Sequence, residues 1–576
     1  MLVREATYLD ESTCRGGYWH GIALRCLAVA FCVLILALPA WADPAAEPSA
    51  DQVSLRIIIF PLEGTVRAAY RLGRPTTHFR FAQDIDAIRS KTWIVKTPGL
   101  TLQNGIVTAD NGAPFREFMI AIKPDEAASD RVYPALFKVG PDGLALYTPY
   151  LAGDPADYDS FVEPKLSPKL IVEAGAQREI GVFGMLGVDR YIYLGPPDYI
   201  HERRATFIVP PDLPSWIGET TEARFDGILK LYESRIGWTL PVQPTVLMAY
   251  ADTPGQSRYR GDVSAGWIMA LRFQGHAWRE RGPDDTYDIV HLIAHEGFHL
   301  WNGMMFNSRD MVRQPWLHEG SAEYAALLSL RILGELDDEA FRADLESRIN
   351  RCQAELGTQP LSEMGGRLDS AAYDCGVIVQ WIADIGMRRH YGESRDFFAL
   401  WHDLFAGAAG QHNLYSADAF LQAVPAEARP ALNLILNQPG AERWQALPRR
   451  LKTLGIDLTP PGEVATDDAM RHRALLHLLI QACGSDRHGF VTEPSFLQLD
   501  TGPGCGTLAG DPSIASAEGH DLFRDMPGAF AAMAKKCGSG SPVVLGSELS
   551  GQSYLVACPK PFPTEPRYVL GGIGLP

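Results

Sequence analysis

The stretch His295-Glu296-Gly297-Phe298-His299 places two histidines four residues apart, with a glutamate directly after the first. An α-helix repeats every 3.6 residues, so both imidazoles would lie on one helical face, one turn apart. This spacing lets two histidines share one tetrahedral Zn²⁺ ion at about 2.0–2.1 Å from each nitrogen. Glu296 is rotated about 100° from His295 and therefore borders the open side of the metal. The stretch predicts a metal site built on a helix.

The residues around this stretch favour a helix. Asp284, Asp285 and Thr286 offer N-caps. The apolar positions that follow keep helical spacing: Ile289, Leu292, Ile293 and Phe298. His291 adds a third histidine at the same spacing, but it is followed by an apolar residue instead of a carboxylate. We therefore predict that His291 packs in the core or supports a ligand.

A second motif, Trp316-Leu317-His318-Glu319-Gly320, supplies a third ligand. It lies in a second predicted helix that begins near Pro315, a residue suited to a first helical turn. Two histidines and Glu319 would hold one zinc ion per chain and leave a fourth position for water, as catalytic zinc sites do. The alternative is a helix with core histidines that flank a glutamate by chance.

Glu323 lies four residues beyond Glu319 and shares its helical face. It would either accept the outer N–H of a ligating imidazole, which fixes the tautomer of the ring, or remain a solvated helix carboxylate.

These residues resemble those of the gluzincins, the metallopeptidase clan that includes thermolysin and aminopeptidase N. Within it, His299-Leu300-Trp301-Asn302 and Trp316 to Gly320 are similar to the His-x-Trp-Asn and Trp-x-x-Glu-Gly blocks of the glycyl aminopeptidase family. The resemblance implies zinc-dependent hydrolysis of peptide bonds.

A third block, Tyr373-Asp374-Cys375-Gly376, resembles the Tyr-x-x-Gly start of another helix of these aminopeptidases. The tyrosine of that helix donates a hydrogen bond to the oxyanion of the reaction. By resemblance, Tyr373 takes this role.

One feature departs from the family pattern. Aminopeptidases of this clan usually carry a glycine-rich strand that ends in a glutamate, which holds the free amine of the substrate. The matching stretch contains the predicted substrate-binding residues Gly266, Trp267, Ile268 and Met269 and has no acidic residue. An ammonium group without a carboxylate partner is poorly held in a half-buried site, so exopeptidase and endopeptidase activity both stay open.

Length and charge restrict the class of protein. A chain of 576 residues exceeds the size of a single core, so two to four domains are expected. The formal net charge of −17 argues against nucleic acid and anionic lipid as partners. The predicted partner is a peptide or protein substrate, and no oligomeric state is predicted.

The N-terminus reads as a secretory signal peptide over residues 1–42. Arg25 precedes the apolar run from Cys26 to Leu38, and Ala40-Trp41-Ala42 offers a cleavage site. The run is too short for a typical membrane span. We therefore predict a periplasmic or secreted protein without stable membrane insertion after signal removal. An uncleaved N-terminal anchor is the alternative, and translation could start later than Met1.

Six of the nine cysteines lie after this leader, and an even number in an exported chain indicates disulfides. Cys352 and Cys375 bracket the segment before Tyr373, so a bond between them would hold its helix against the preceding one. The remaining four allow three pairings: Cys483, Cys505, Cys537 and Cys558.

The predicted fold is a multidomain α+β architecture. Short alternating apolar runs predict an N-terminal antiparallel β domain over 51–209. A thermolysin-like, mainly helical zinc-peptidase domain is expected over 210–458. After a linker at 459–462, a small disulfide-containing α+β domain over 468–576 resembles the second half of a PDZ domain.

The predicted function is that of an exported zinc metallopeptidase, aminopeptidase-like, in which Glu296 acts as the general base on a metal-activated water. The alternative is an exported peptide-binding or scaffold protein with reduced turnover on a peptidase fold.

Overall fold

The computed structural model describes residues 52–572, except for 63, 127, 129–132, 166–169, 173–175, 179–180, 184–189, 255–257, 283–284, 365–369, 460–466, 485–487, 548–550 and 563–567. The predicted signal peptide, the N-cap candidate Asp284 and most of the predicted linker lie outside the described residues.

Where the structure describes the N-terminal region, it is mainly β-strands with a short α-helix. Its strands are β1 (Val53–Leu62), β2 (Thr65–Thr76), β3 (His78–Arg80), β4 (Trp93–Val95), β5 (Leu100–Gln103), β6 (Ile106–Ala109), β7 (Phe115–Ile122), β8 (Leu136–Val139), β9 (Gly143–Tyr147), β10 (Tyr158–Pro164), β11 (Leu170–Val172), β12 (Ala176–Arg178), β13 (Gly181–Phe183) and β14 (Tyr191–Gly195). The helix is α1 (Asp86–Thr92).

The main N-terminal sheet has the strand order β10-β1-β2-β7-β4. Apolar and polar residues alternate along its strands, so one face of the sheet is buried. Leu55, Ile57 and Ile59 are buried on one face of β1, and Ile57 lies opposite Tyr70 of β2. Most pairs in this region are antiparallel, as predicted. The prediction is wrong for β1 and β10, which pair in parallel because a long connection brings β10 back beside β1 in the same direction.

The central region opens with a mixed sheet of order β15-β16-β17-β19-β18. The strands of the region are β15 (Ile200–Glu202), β16 (Thr206–Ile208), β17 (Thr245–Ala251), β18 (Arg258–Ser264), β19 (Ile268–Gln274), β20 (Asn307–Ser308) and β21 (Leu414–Tyr415). Strands β16, β17 and β19 run parallel, and β18 forms an antiparallel edge.

Helices make up the rest of the central region. They are α2 (Ser215–Ile236), α3 (Asp285–His299), a π-helical turn (Leu300–Met305), α4 (Pro315–Ile332), α5 (Asp338–Leu356), α6 (Ser370–Tyr391), α7 (Phe397–Ala409), α8 (Ala417–Ala423), α9 (Arg429–Leu436) and α10 (Glu442–Thr453). Their buried faces and one face of the central sheet share a single apolar core, which explains why α3 and α4 are both enclosed.

The described part of the C-terminal region combines α-helices with short strands. The elements are β22 (Asp457–Thr459), α11 (Asp467–Cys483), β23 (His488–Thr492), β24 (Leu497–Thr501), β25 (Ser513–Ile514), β26 (Ser516–Ala517), β27 (His520–Asp521), α12 (Met526–Gly538), β28 (Val543–Gly546), β29 (Ser553–Val556) and β30 (Val569–Gly572). Tyr568 and Leu570 belong to the core of the central region, and β30 pairs with β22. The predicted domain boundaries themselves stay predictions.

The α+β class predicted from the sequence is confirmed, with an N-terminal sheet region followed by a helical one. Three disulfides join Cys352 to Cys375, Cys483 to Cys505, and Cys537 to Cys558. The bonds Cys483–Cys505 and Cys537–Cys558 form one of the three pairings that the sequence left open. Among the described residues, no helix combines the length and apolarity that crossing a bilayer requires.

Candidate metal centre

Helix α3 carries both motif histidines in its last turns. Acidic residues occupy its first turn, which favours a helix N-terminus, and its apolar positions are buried against the sheet. His295 and His299 therefore project together from a helix that is fixed along its length, and both are buried. The chain continues as a π-helical turn, a local form that is frequent at functional sites.

The three predicted ligands come together. His295 Nε2 lies 3.2 Å from His299 Nε2, and Glu319 Oε2 lies 3.4 Å and 3.5 Å from these two nitrogens. Ligand atoms about 2.0–2.1 Å from a tetrahedral zinc ion are separated by about 3.3–3.4 Å along each edge. The triangle of donor atoms thus fits a zinc ion, and its imidazole and carboxylate donors are those that zinc prefers.

Each imidazole has a partner on its outer nitrogen. His295 Nδ1 lies 2.7 Å from Glu323 Oε2, and His299 Nδ1 lies 2.8 Å from the side-chain oxygen of Asn302. With the Nδ1 atoms donating to these oxygens, both Nε2 atoms are left as acceptors facing Glu319. Asn302 is oriented in turn because its amide donates to Ser321 Oγ at 2.9 Å.

Glu323 is held by a buried guanidinium. Arg348 donates to Glu323 Oε1 at 2.6 Å, to Asp374 Oδ1 at 3.1 Å and to Asp344 Oδ2 at 2.6 Å. His291 Nε2 lies 3.3 Å from the same Glu323 oxygen. The carboxylate that faces His295 is therefore not a solvated helix residue.

Glu296 is buried between the histidines and the sheet. Burial raises the pKa of its carboxyl, and the nearby imidazoles of His295 and His299 oppose this shift. A raised pKa brings a carboxylate closer to the range in which a general base works at neutral pH.

Tyr373 begins helix α6 beside the ligands. Its ring lies 5.9 Å from the ring of His295, centroid to centroid. Burial, followed by the charges of Glu319 and Glu296, raises the pKa of the Tyr373 hydroxyl well above its usual value. The hydroxyl consequently stays protonated and able to donate.

His318 adds a stacked ring on the other side. Its centroid lies 4.3 Å from that of His299. Burial, together with the neighbouring His299, lowers the pKa of His318 to about 3, so the ring is neutral at physiological pH. A neutral ring can pack against a metal ligand without repelling a cation.

The strand that approaches Glu296 is the edge strand β18. A Cβ built on Gly261 would lie 2.6 Å from Glu296 Oε1, so glycine is required for this close approach. Val263, two residues further along β18, packs into the same core as α3.

The predicted substrate-binding stretch follows β18 in the chain. Gly266 and Trp267 form the turn after β18, with φ angles of +83° and +63°. Ile268 and Met269 are buried in β19, an interior strand. The part of this hairpin that lies against Glu296 is Gly261, and the substrate-binding role of the four later residues stays a prediction.

The direction of the backbone groups of β18 follows from the neighbouring strands. The Thr245 N–H donates to Trp267 O at 2.8 Å. Backbone groups point to alternate sides along a strand, so Met269 and Leu271 also direct theirs toward β17. The β18 residues opposite Met269 and Leu271 are Val263 and Gly261. In an antiparallel ladder such residues direct their N–H and C=O groups away from the partner. The backbone N–H and C=O groups of Gly261 and Val263 thus face the free edge of the sheet.

Sequence reasoning missed three residues of this neighbourhood. Arg348 and Gly261 carry no motif signal. Tyr133 comes from the N-terminal region, and its hydroxyl donates to Val263 O at 3.1 Å. No local pattern links residues so far apart in the chain.

Comparison with known proteins agrees with the geometry. Residues 288–365, which carry both metal-site motifs, match the family described as M61 glycyl aminopeptidase. Of the solved structures, 72 chains match. One is the crystal structure of an aminopeptidase N family protein from Idiomarina loihiensis, with a TM-score of 0.55 and 12% identity over 91% of this chain and 100% of that chain. This likeness concerns the fold. No curated protein sequence matches the chain. The predicted relationship is thereby confirmed: over residues 288–365 this chain is similar to the M61 glycyl aminopeptidases.

Proposed function

We propose that the protein is an exported zinc-dependent metallopeptidase, aminopeptidase-like in its action. The observation that carries this proposal is the triangle of His295, His299 and Glu319 donor atoms, 3.2–3.5 Å apart, with the buried Glu296 beside it. A carboxylate beside a metal-bound water can act as the general base of hydrolysis. Burying a carboxylate costs free energy, which such a role would explain.

A zinc ion held by His295, His299 and Glu319 would supply a Lewis acid that polarises the scissile carbonyl and acidifies the attacking water. The Glu296 carboxylate takes a proton from this water and passes it to the leaving amine. Glu323 and Asn302 accept hydrogen bonds from the outer nitrogens of the two histidines and thereby keep the rings oriented.

Tyr373 donates its hydroxyl proton in a hydrogen bond to the oxyanion of the tetrahedral intermediate. Its raised pKa supports this role, because only the protonated hydroxyl can donate. A positioned donor of this kind typically lowers the barrier by about 3 kcal/mol.

The substrate binds as an added strand along β18. Gly261 directs its backbone N–H and C=O to the free edge beside Glu296, so an extended peptide that pairs there passes the base and the metal ligands. β18 is the strand that precedes the predicted binding stretch at Gly266 to Met269 in the same hairpin, and the role of that stretch stays a prediction.

The test is zinc content and peptide turnover in matched variants. We expect one zinc ion per chain in the wild type, loss of turnover with retained zinc in Glu296→Gln, and loss of both in His295→Ala. His412→Ala, in an exposed turn, is the control and should retain zinc. Zinc binding without turnover of any peptide would instead favour the peptide-binding or scaffold alternative.

Export is part of the proposal. Three disulfides in one chain are typical of oxidising compartments, which supports a periplasmic or secreted protein. Recovery of the processed chain from the cytosol, with all six cysteines reduced, would contradict it. The PDZ resemblance of the C-terminal region and the thermolysin-like detail of the central one stay predictions.

A further inference from the structure

Tyr133 occupies the free edge of the strand that faces the metal centre. Its hydroxyl donates to Val263 O at 3.1 Å, and Val263 lies two residues beyond Gly261 on β18. Two residues of a strand span about 7 Å. The backbone acceptor that a bound peptide would use next after Gly261 is therefore already taken by a side chain from the N-terminal region.

The surrounding residues hold Tyr133 in this position. Its ring stacks on that of Tyr147, with centroids 4.9 Å apart and planes 11° from parallel. Its φ of +53° lies in the left-handed region, which is uncommon for a residue as bulky as tyrosine. Burial, with the charges of Asp262 and Glu296, raises the pKa of the Tyr133 hydroxyl, so it remains a donor.

The consequence concerns the length of substrate that fits. In the direction of Arg258, the next residue of β18 that directs its backbone groups away from β19 is Tyr259, opposite Phe273. A peptide paired with Gly261 extends along this part of the strand. In the other direction it meets Tyr133 within two residues of the position beside Glu296. One end of the substrate must therefore lie close to the scissile bond.

We propose that Tyr133 is the residue that makes the enzyme an exopeptidase, by ending strand pairing on the side of the substrate's amino terminus. This inference rests on the proposed function. The similarity to glycyl aminopeptidases over residues 288–365 selects the amino end over the carboxyl end. Asp262, the one carboxylate of β18, is buried in an ion pair with Arg272 and does not hold the amine of a substrate. The block by Tyr133 accounts for exopeptidase action without such a carboxylate.

The experiment compares two forms of one alanine tetrapeptide amide, with a free and with an acetylated amino end, and identifies the products by mass spectrometry. The variants are Tyr133→Gly, which suits the positive φ, and Tyr133→Phe, which removes only the hydroxyl. Asn104→Gly is the matched control, since Asn104 also has a positive φ of 50° in the N-terminal region and is exposed.

We expect the wild type and the control to release only the first residue of the free peptide and to leave the acetylated one almost uncleaved. Tyr133→Gly should raise kcat/KM for the acetylated peptide by at least about tenfold relative to the free one, a discrimination in the range of single pocket contacts. It should also produce internal cleavage. Tyr133→Phe should change the same ratio in the same direction, by less.

An unchanged ratio in both folded variants would overturn the inference and leave the proposed function intact. Equal cleavage of both peptides by the wild type would also overturn it. Failure of the wild type to cleave either peptide would overturn the proposed function, and this inference with it.

Discussion

Gly320 of α4 and Gly376 of α6 touch where the two helices cross. A Cβ built on Gly320 would lie 2.3 Å from the Cα of Gly376, and one built on Gly376 would lie 2.6 Å from the Cα of Gly320. Glu319 directly precedes one glycine, and Tyr373 lies one turn before the other. The close crossing therefore explains why both motif blocks contain a glycine: it brings the proposed metal ligand Glu319 and the proposed oxyanion donor Tyr373 together.

Replacing either glycine should separate the two helices. We expect Gly320→Ala or Gly376→Ala to destabilise the protein by about 1–3 kcal/mol, the usual effect of overpacking a core, and to reduce kcat. Thermal unfolding and turnover measure the two effects. Gly227→Ala in α2 is the matched control, because a Cβ there meets nothing within 4 Å. A similar loss in Gly227→Ala would show that the crossing is not the cause.

Tyr373→Phe should slow the reaction without affecting the metal. Losing one oxyanion donor costs about 3 kcal/mol of barrier, or roughly 10²-fold in kcat, while KM and zinc content stay near the wild-type values. Tyr391→Phe serves as the control, since Tyr391 lies on the same helix and is exposed. A fall in zinc content that parallels the fall in kcat would assign Tyr373 a structural role instead.

Removing the metal should lower thermal stability. A ligand present at 1,000 times its dissociation constant stabilises the native state by about 4 kcal/mol, so a chelator should lower Tm and added zinc should restore it. Glu319→Gln is the control. It lacks one of the three proposed ligands, so a chelator should lower its Tm much less than it lowers that of the wild type. Equal chelator shifts in wild type and variant would place the metal elsewhere.

The stability contributed by Asp374 should depend on pH. Burial alone would raise the pKa of this carboxyl, but Arg351 and Arg348 outweigh burial and hold the pKa below its ordinary value of 3.8. Because the folded-state pKa is the lower one, the stabilisation is complete above pH 3.8 and is lost as the pH falls through the folded-state pKa.

Asp374→Asn should therefore lower Tm strongly at neutral pH. Breaking a buried ion pair reduces the free energy of unfolding by an amount on the order of 3–5 kcal/mol. The difference in Tm between the variant and the wild type should become smaller as the pH falls through the folded-state pKa of Asp374. Asp338→Asn is the control, since this carboxylate is exposed where it pairs with Arg331 and should change stability by less than about 1 kcal/mol. A difference that stayed constant with pH would mean that the ion pairs do not provide the stabilisation.

The sequence predicted most where geometry depends on local spacing. The helical repeat places His295 and His299 on one face, and both Nε2 atoms lie within 3.5 Å of Glu319 Oε2. The roles that the family resemblance implies for Glu319 and Tyr373 stay predictions. The substrate-binding role that resemblance gave to the stretch at Gly266 stays a prediction. The approach of Gly261 to Glu296 could not be predicted, because it depends on how the sheet lies over α3. The parallel pairing of β1 with β10 was missed for the same reason, since strand direction in a sheet is set by distant segments.

By itself the sequence determined that His295 and His299 share one helical face and that Glu296 directly follows the first of them, because this depends on residues within one or two helical turns of each other. Only the tertiary structure decided that Arg348 supports Glu323, that Gly320 meets Gly376 and that Tyr133 reaches Val263. Each of these contacts joins elements distant in the chain. Their distances are set by packing of the shared core, which no local periodicity encodes.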